Sequence, residues 1–351
     1  MRAEHRASWA SAWQAMAMRQ GPLAWALRPL SWLYGMAVSV KRTAHRRGWL
    51  RTERLDVPVI VVGNVVVGGA GKTPAVIALV QALREAGWTP GVISRGHGRE
   101  PNPAPLPVLP NSHSSEVGDE PLQIQRATGA PVFVAQRRIE AGRALRLAHP
   151  EVNVVLTDDG LQHWALHRDV SVVVMDDRGV GNGCLLPAGL LREPWPPARR
   201  DWPSLVLHQR PQHQPSAECP MPPGLPRFEA TRSLSPMAIN GLGETRAWVD
   251  WGNTPLTAVA GVARPEVFFD MLRQGGLTAL TALALPDHAS LDDYAAVGMN
   301  SDAHVLCTDK DAVKLFALPG IDLARVWRVP LVLNHSRDWT DAVIAHLPPR
   351  L

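Results

Sequence analysis

The sequence predicts an α/β fold in which a parallel β-sheet carries helices on both faces. Short apolar strands alternate with segments of helical spacing, and a glycine-rich loop joins one strand to the next helix. A proline- and glutamine-rich stretch at 211–226 then divides the chain. We therefore expect an N-terminal segment at 1–50, a main domain at 51–215 and a smaller α/β domain at 227–351.

The individual elements follow from local patterns. Each predicted strand is a short apolar run, the first of them rich in β-branched residues, and the helix after the glycine-rich loop repeats apolar residues at helical spacing. In chain order, strands are expected at 58–62, 90–94, 131–135, 153–157, 170–176, 204–208, 256–260, 278–285 and 304–307, and helices at 74–86, from about 136 to 149, at 265–275 and after 308.

The composition is that of a protein with a buried core. The 351 residues are 46% hydrophobic and 19% charged, as in globular proteins. The 36 basic and 32 acidic residues leave a net charge of +4, so neither a nucleic-acid partner nor an obligate protein partner is indicated. Cys184, Cys219 and Cys307 are too few and too scattered for a disulfide framework or a zinc site, which indicates a reducing compartment.

The glycine-rich loop has the features of a phosphate-binding P-loop. It follows an apolar strand and ends in Lys72 and Thr73 at the start of a helix. In such loops the lysine reaches the β- and γ-phosphates and the hydroxyl ligates Mg²⁺. Val66 stands where the usual pattern has glycine, and a plain strand-to-helix turn of small residues is the alternative. The predicted phosphate-binding residues are Gly68, Gly69, Ala70, Gly71, Lys72 and Thr73.

The strand at 153–157 ends in two neighbouring carboxylates, Asp158 and Asp159. In P-loop enzymes a carboxylate at such a strand end holds Mg²⁺ directly or through water. Alone, the same residues would indicate only an Asp-Gly turn. The P-loop upstream favours a metal site formed by Thr73, Asp158 and Asp159.

Two further loops carry polar residues that are candidates for a functional site. Arg95 and Arg99 lie among glycines after a strand, where they could hold a phosphate or a sugar or form a solvated turn. Asp119 precedes an apolar helix, where it could act in a site or cap the helix.

Residues 21–40 form an apolar run that a basic cluster follows. Arg28 and Pro29 interrupt the run, which argues against a membrane-spanning helix. The order of the two parts argues against a signal peptide. A helix lying in the membrane interface fits best, and a helix packed on the core is the alternative. The aromatic residues are Trp25, Trp32 and Tyr34, and the basic residues are Lys41, Arg42, Arg46, Arg47 and Arg51.

Together these motifs resemble the tetraacyldisaccharide 4′-kinases, the lipid A 4′-kinases of Gram-negative bacteria. The run from Asp158 to His163 is more specific than either nucleotide-binding element alone, and Val66 agrees with the family pattern. His97 and Asp309 depart from the aromatic residue and the glutamate expected there. The matching segments are 62–74, 94–99, 118–121, 157–163, 181–194, 260–269, 286–289 and 308–314.

The resemblance implies transfer of the γ-phosphate of ATP to the 4′-hydroxyl of an acylated glucosamine disaccharide 1-phosphate, which gives lipid IVA. It implies a P-loop NTPase-like domain and a smaller C-terminal domain with the active site between them. It also implies a peripheral protein on the cytoplasmic face of the bacterial inner membrane, where a lipid surface is its second partner. The cofactors would be ATP and Mg²⁺.

The resemblance also assigns roles to individual residues. Lys72 would act on the phosphates, and Asp119 would be the base, supported by His288 from the second domain. The residues placed near the substrate, or supporting it, are Arg95, Arg99, Gln162 and His163.

A membrane-associated P-loop GTPase or ATPase acting as a switch or scaffold is the alternative function, because a fold does not determine an activity. A GTPase of this kind would carry Asn-Lys-x-Asp for guanine. The nearest stretch, 308–311, reads Thr-Asp-Lys-Asp and lacks lysine in second place.

Overall fold

The structure is a computed structural model that describes residues 13, 15–199, 203–212, 220–252, 254–287, 289–298 and 303–349. The strands are β1 (Val59–Gly63), β2 (Pro90–Ser94), β3 (Leu106–Pro107), β4 (Val132–Val134), β5 (Val154–Thr157), β6 (Val170–Met175), β7 (Leu205–Pro211), β8 (Arg227–Leu234), β9 (Met237–Asn240), β10 (Thr245–Ala247), β11 (Leu256–Ala260), β12 (Leu280–Ala284), β13 (His304–Thr308), β14 (Val326–Val329) and β15 (Leu331–His335). The helices are α1 (Pro22–Arg46), α2 (Lys72–Glu85), α3 (Ser114–Val117), α4 (Asp119–Thr128), α5 (Arg138–Ala148), α6 (Pro265–Gln274), α7 (Leu291–Gly298), α8 (Asp309–Leu315) and α9 (Arg337–Ala345).

A nine-stranded sheet forms the larger unit, in the order β15-β8-β7-β6-β1-β5-β2-β4-β3. Central strand β1 pairs in parallel with β5 and β6, and only the outer pairs β3–β4 and β8–β15 are antiparallel. Ile60 and Val62 of β1 lie in the core that α2 covers, whereas Val59 and Val61 lie in the core that α5 covers. Because both faces are covered, the central strands are continuously apolar, as the sequence predicted.

The smaller unit is a six-stranded sheet in the order β10-β9-β14-β13-β11-β12. Strands β11, β12, β13 and β14 pair in parallel, and β9 and β10 continue the sheet as antiparallel strands. Phe268 and Phe269 of α6 are buried in its core. The helix at 265–275 and the strands at 256–260, 278–285 and 304–307 are confirmed.

We expect the smaller domain to begin at residue 227, and strand β8, which begins there, belongs to the larger sheet. Strand β8 pairs with β7, and β15, which follows the smaller sheet in the chain, pairs with β8. The side chain of Trp339 in α9 is fully buried in the core of the larger unit. The stretch at 211–226 is therefore a connection within one sheet. Proline-rich composition marks a loop, but it does not indicate which sheet the next strand joins.

Helix α1 runs through Pro29 for 25 residues and has two different faces. One face is buried against the larger unit through Ala24, Ser31, Gly35 and Ala44. The other face exposes large apolar side chains, namely Leu23, Trp25, Leu30, Trp32, Leu33, Met36 and Val40. Within the part of the chain that the structure describes, no helix combines the length and the apolar character needed to cross a bilayer.

Candidate active site

The glycine-rich loop joins β1 to α2 and leads to the N-terminus of that helix. Gly71, the residue before α2, has a φ of +77°. A Cβ at this position would lie 2.1 Å from Oε1 of Gln209 on β7. The Gln209 side chain also donates from Nε2 to the carbonyl of Gly71 at 3.0 Å. Glycine is therefore required here by both backbone conformation and space.

Val66 occupies a position where the loop is extended, which explains the absence of glycine. It forms an antiparallel bridge with Leu191, and its side chain is fully buried. The segment from Leu190 to Arg192 runs alongside: the N–H of Val67 donates to the Leu190 carbonyl at 2.9 Å, and the N–H of Arg192 donates to the Val65 carbonyl at 2.7 Å. A β-branched residue suits such an extended, buried position.

Lys72 and Thr73 begin α2 and are both buried. The Lys72 Nζ atom lies 3.6 Å from Oδ1 of Asp159 at the end of β5. A buried ammonium group beside the first N–H groups of a helix forms a site for an anion, because both attract negative charge.

Asp158 is a buried carboxylate without a protein partner. The side chain is 1% exposed, and neither of its oxygens has a hydrogen-bond partner among the residues that the structure describes. Burial, reinforced by the charge of Glu120 and opposed by Lys72, raises the pKa of Asp158 to about 8. Since buried polar groups are normally satisfied, two free carboxylate oxygens here fit a cation.

Asp159 has the opposite environment. Burial alone would raise its pKa, but the charges of Lys72 and Arg192 outweigh burial and lower it. The Arg192 Nη1 atom lies 3.1 Å and 3.2 Å from the two carboxylate oxygens. Asp159 also has a positive φ of 47°, which is uncommon for a residue with a side chain. The two aspartates therefore differ in the direction of their pKa shifts and in their partners.

Gln162 connects the loop after Asp159 to the P-loop. Its Nε2 atom donates to Oε1 of Glu193 at 2.7 Å and to the carbonyl of Asn64 at 3.1 Å. His163, the next residue, is half-buried, and burial together with Arg138 and Arg168 lowers its pKa to about 4. Its imidazole is therefore neutral at physiological pH.

Asp119 lies at the start of α4 and contacts the smaller unit. Its Oδ2 atom is 2.8 Å from Nζ of Lys314 on α8, and Lys314 also donates to the carbonyl of Ala289 at 2.9 Å. His288, the predicted partner of Asp119, lies outside the described residues. The predicted pair therefore stays a prediction.

Arg95 and Arg99 line a surface recess close to Asp119. A Cβ at Gly118, the residue before Asp119, would lie 3.1 Å from Cα of Gly96, so the two loops are in contact. Within its own loop, Arg99 donates from Nη2 to the carbonyl of Asn102 at 2.8 Å.

A cleft lies between the P-loop and the smaller unit. The loop residues Gly69 and Gly71 form one wall, and apolar side chains of the smaller unit form the other. These apolar residues are Val262, Ala263, Val267, Phe268, Met271 and Val329. The cleft therefore brings the P-loop next to a group of apolar side chains, and Arg264, Asp309 and Lys310 of the smaller unit line it as well.

Comparison with known proteins places these features in one family. A family model described as tetraacyldisaccharide-1-P 4′-kinase matches residues 23–348. The chain belongs to this family. A tetraacyldisaccharide 4′-kinase of Polaromonas naphthalenivorans (strain CJ2) is 48% identical over 342 residues, which cover 97% of this chain and 94% of the relative. Another, of Acidovorax sp. (strain JS42), is 48% identical over 336 residues, covering 96% and 93%.

A solved structure has the same fold as this 4′-kinase family member. The crystal structure of LpxK from Aquifex aeolicus, described as an apo form in complex with ATP, superposes with a TM-score of 0.75 at 26% sequence identity. The match covers 93% of this chain and 100% of the other. The resemblance found from the sequence motifs is therefore confirmed at the level of the family and the fold.

Three arginines of the site were missed as functional residues by sequence reasoning. Arg138 donates from Nη2 to the carbonyl of Asp159 at 2.7 Å, but the sequence indicated only a helix start. Arg178 donates to the carbonyls of Val67 and Gly69, both at 3.0 Å. Arg192 lies in a matched motif, which was the one available signal, yet its contact with Asp159 depends on the fold.

Proposed function

We propose that this protein transfers the γ-phosphate of ATP to the 4′-hydroxyl of an acylated glucosamine disaccharide 1-phosphate. The observation that carries the proposal is a buried lysine at a helix N-terminus, beside a buried carboxylate that has no hydrogen-bond partner in the described part of the chain. Phosphoryl transfer needs positioning and charge neutralisation more than covalent participation, and this arrangement provides both.

Phosphate and metal are held by separate residues in this proposal. Lys72 and the loop from Gly68 to Gly71 bind the phosphates, while Thr73 and Asp158 hold Mg²⁺. When bound, Mg²⁺ would supply positive charge to neutralise the phosphate oxygens, and Thr73 and Asp158 would hold it there. Asp159 completes the acidic pair and orients Lys72 and Arg192, because those two cations are its nearest partners.

The base of ATP is proposed to lie against the apolar residues of the cleft. Phe268, Met271 and Val262 offer the apolar contacts that a purine ring needs. The nucleotide would then touch both units, with its phosphates on the larger one and its base against the smaller one.

The acceptor sugar is proposed to lie on the side of Asp119. A sugar hydroxyl is a poor nucleophile at neutral pH, so a carboxylate within hydrogen-bond reach assists as it loses its proton. Arg95 and Arg99 line the neighbouring recess and suit the phosphate and hydroxyl groups of the acceptor. Gln162 would support the site from the P-loop, because it donates to the carbonyl of Asn64 and to Glu193, and the neighbouring His163 would be a neutral group.

Helix α1 is proposed to hold the protein on the cytoplasmic face of the membrane as a peripheral protein. Trp25 and Trp32, each more than half exposed, lie on its apolar face. Tryptophan favours the depth of the lipid headgroups, and nearby arginines and lysines attract anionic lipid, by about 1 kcal/mol per charge. This arrangement would bring the site to a substrate whose acyl chains stay in the bilayer.

The decisive experiment is mass spectrometry of the product formed from ATP, Mg²⁺ and tetraacyldisaccharide 1-phosphate. We expect a gain of one phosphate at the 4′ position. Lys72→Ala should lower turnover by about two orders of magnitude or more, because Lys72 acts on charge that moves in the transition state. ATP hydrolysis that is independent of the acceptor, with no phosphorylated lipid, would instead support a switch or scaffold.

A further inference from the structure

The middle of α1 contacts the segment from Leu185 to Arg192 of the larger unit, while Arg42 near the end of the helix lies over the ring of Trp164. Ser31 donates from Oγ to the carbonyl of Leu185 at 2.8 Å and accepts from the N–H of Ala188 at 3.1 Å. A Cβ at Gly35 would lie 2.6 Å from Cδ1 of Leu185, so glycine allows the close approach. Tyr34 donates from its hydroxyl to the carbonyl of Arg192 at 3.0 Å.

The segment from Leu185 to Arg192 in turn contacts the proposed phosphate site in two ways. Its backbone runs along the P-loop, where Leu191 bridges Val66. Its last residue places a guanidinium group on Asp159, the carboxylate that also faces Lys72. The backbone segment from Leu185 to Arg192 thus lies between helix α1 and the P-loop.

The outer face of the same turns is exposed and apolar. Trp32 is 69% exposed, and Leu33 and Met36 are also largely exposed. Helix α1 therefore exposes an apolar surface suited to lipid on one side and contacts the segment from Leu185 to Arg192 on the other. A shift of α1 at a lipid surface would be transmitted to Arg192, because the hydrogen bonds of Tyr34 and Ser31 leave this segment little freedom.

We propose that Tyr34 is a positioning residue through which docking of α1 on a lipid surface sets the geometry of Arg192 and the P-loop. The proposal rests on the proposed function of α1 as the membrane-contacting element. Lipid binding and nucleotide binding are then coupled, and by linkage the coupling acts in both directions. Without a lipid surface the site is less well ordered for ATP.

The test is the affinity of the full-length protein for a fluorescent ATP analogue with Mg²⁺, with and without vesicles of phosphatidylglycerol and phosphatidylethanolamine. Vesicles should tighten binding by the wild type about five-fold, the effect of one neutral hydrogen bond. Tyr34→Phe removes only the hydroxyl. It should sediment with vesicles as the wild type does and lose the tightening.

A matched variant on the outer face separates coupling from docking. Trp32→Ala should weaken vesicle binding, so vesicles should tighten its binding of the ATP analogue only at a higher lipid concentration. For Tyr34→Phe, vesicles should not tighten this binding at any lipid concentration. The coupling is overturned if vesicles leave the wild-type affinity unchanged, or if Tyr34→Phe responds like the wild type. This readout needs no acceptor, so it is independent of whether 4′-phosphorylated product forms.

A double-mutant cycle checks that Tyr34 acts through Arg192. In an Arg192→Ala background, Tyr34→Phe should add no further loss of turnover, because the group that it positions is gone. Losses that simply add would show that Tyr34 supports the fold by another route. Thermal unfolding of each variant confirms that the chain is folded, and Ser31→Ala provides a second substitution on the same face.

Discussion

At the scale of single residues, two adjacent aspartates at the end of one strand are held in opposite states. Asp159 faces Lys72 and Arg192 and is ionised, while Asp158 is buried and has no hydrogen-bond partner among the residues that the structure describes. The physical causes are the burial of Asp158, which raises its pKa, and the charges of Lys72 and Arg192 beside Asp159, which lower the pKa of that residue. Asp158 therefore favours its proton until a cation binds, and Asp159 keeps the neighbouring side chains in place.

This difference predicts how stability depends on pH in the absence of Mg²⁺. The pKa of Asp158 is raised from 3.8 to about 8 in the folded state, so folding takes up a proton between these values. Stability contributed by the protonated group is therefore lost as pH rises towards 8. Asp158→Asn removes this loss, and at pH 8 the variant should be more stable than the wild type by on the order of a few kcal/mol.

Urea unfolding at pH 5 and pH 8, without Mg²⁺, measures the effect. The advantage of Asp158→Asn should shrink at pH 5, where the wild-type carboxyl is already protonated. Asp159→Asn is the matched control, and it should not gain stability with rising pH. Equal pH profiles for Asp158→Asn and the wild type would mean that Asp158 is ionised in the folded protein.

At the scale of elements, the P-loop depends on a neighbouring loop for its shape. Arg178 follows β6, and its guanidinium pairs with the buried carboxylate of Asp176 at 2.8 Å. From there it donates to two carbonyls of the P-loop, those of Val67 and Gly69. Arg178 thereby holds these two carbonyls, and under the proposed function the N–H groups of the loop remain for the anion.

Arg178→Lys should weaken ATP binding. Lysine keeps the positive charge but cannot reach both carbonyls and the carboxylate with one planar group. We expect the dissociation constant for ATP to rise about ten-fold, with a smaller loss of stability than in Arg178→Met. The methionine variant leaves Asp176 buried and unpaired, which costs about 3 kcal/mol or more. Calorimetric titration measures the effect on ATP affinity, and urea unfolding measures the effect on stability. Unchanged ATP affinity in both variants would contradict the proposal that Arg178 holds the P-loop in shape.

At the scale of the whole molecule, ionic contacts join the two units at the candidate site. Lys314 reaches Asp119 from the smaller unit, and Arg264 reaches Asp177 of the larger unit at 2.7 Å. Both contacts lie beside residues proposed to bind acceptor or nucleotide. The relative position of the units therefore determines the geometry of the site.

Lys314→Met should lower turnover while leaving ATP affinity nearly unchanged. The substitution keeps the apolar stem of the side chain but removes the ammonium group that fixes the Asp119 carboxylate. Since a positioned general base contributes about 10²–10⁴-fold to the rate, its misplacement should reduce kcat about ten- to a hundred-fold. Steady-state kinetics in ATP and in acceptor measure the change. Lys314→Arg should recover part of kcat, and wild-type kcat in Lys314→Met would rule out this role.

Much of the fold could be predicted because its signals are local. A β-branched strand, a glycine-rich loop and Lys72 with Thr73 at a helix start lie within about twenty residues, and the structure has them where expected. The strand ending in Asp158 and Asp159 was predicted for the same reason. The motifs were also sufficient to identify the family.

Long-range packing decided the rest. Strands β8 and β15 join the larger sheet although one precedes and the other follows the smaller unit in the chain, and no local pattern specifies that pairing. Arg192 reaches Asp159, and Lys314 reaches Asp119, only after the chain has folded. The sequence by itself determined which groups the site contains and which elements carry them. The tertiary structure alone decided their ionisation and partners, because burial and the distance between charges are properties of the folded chain.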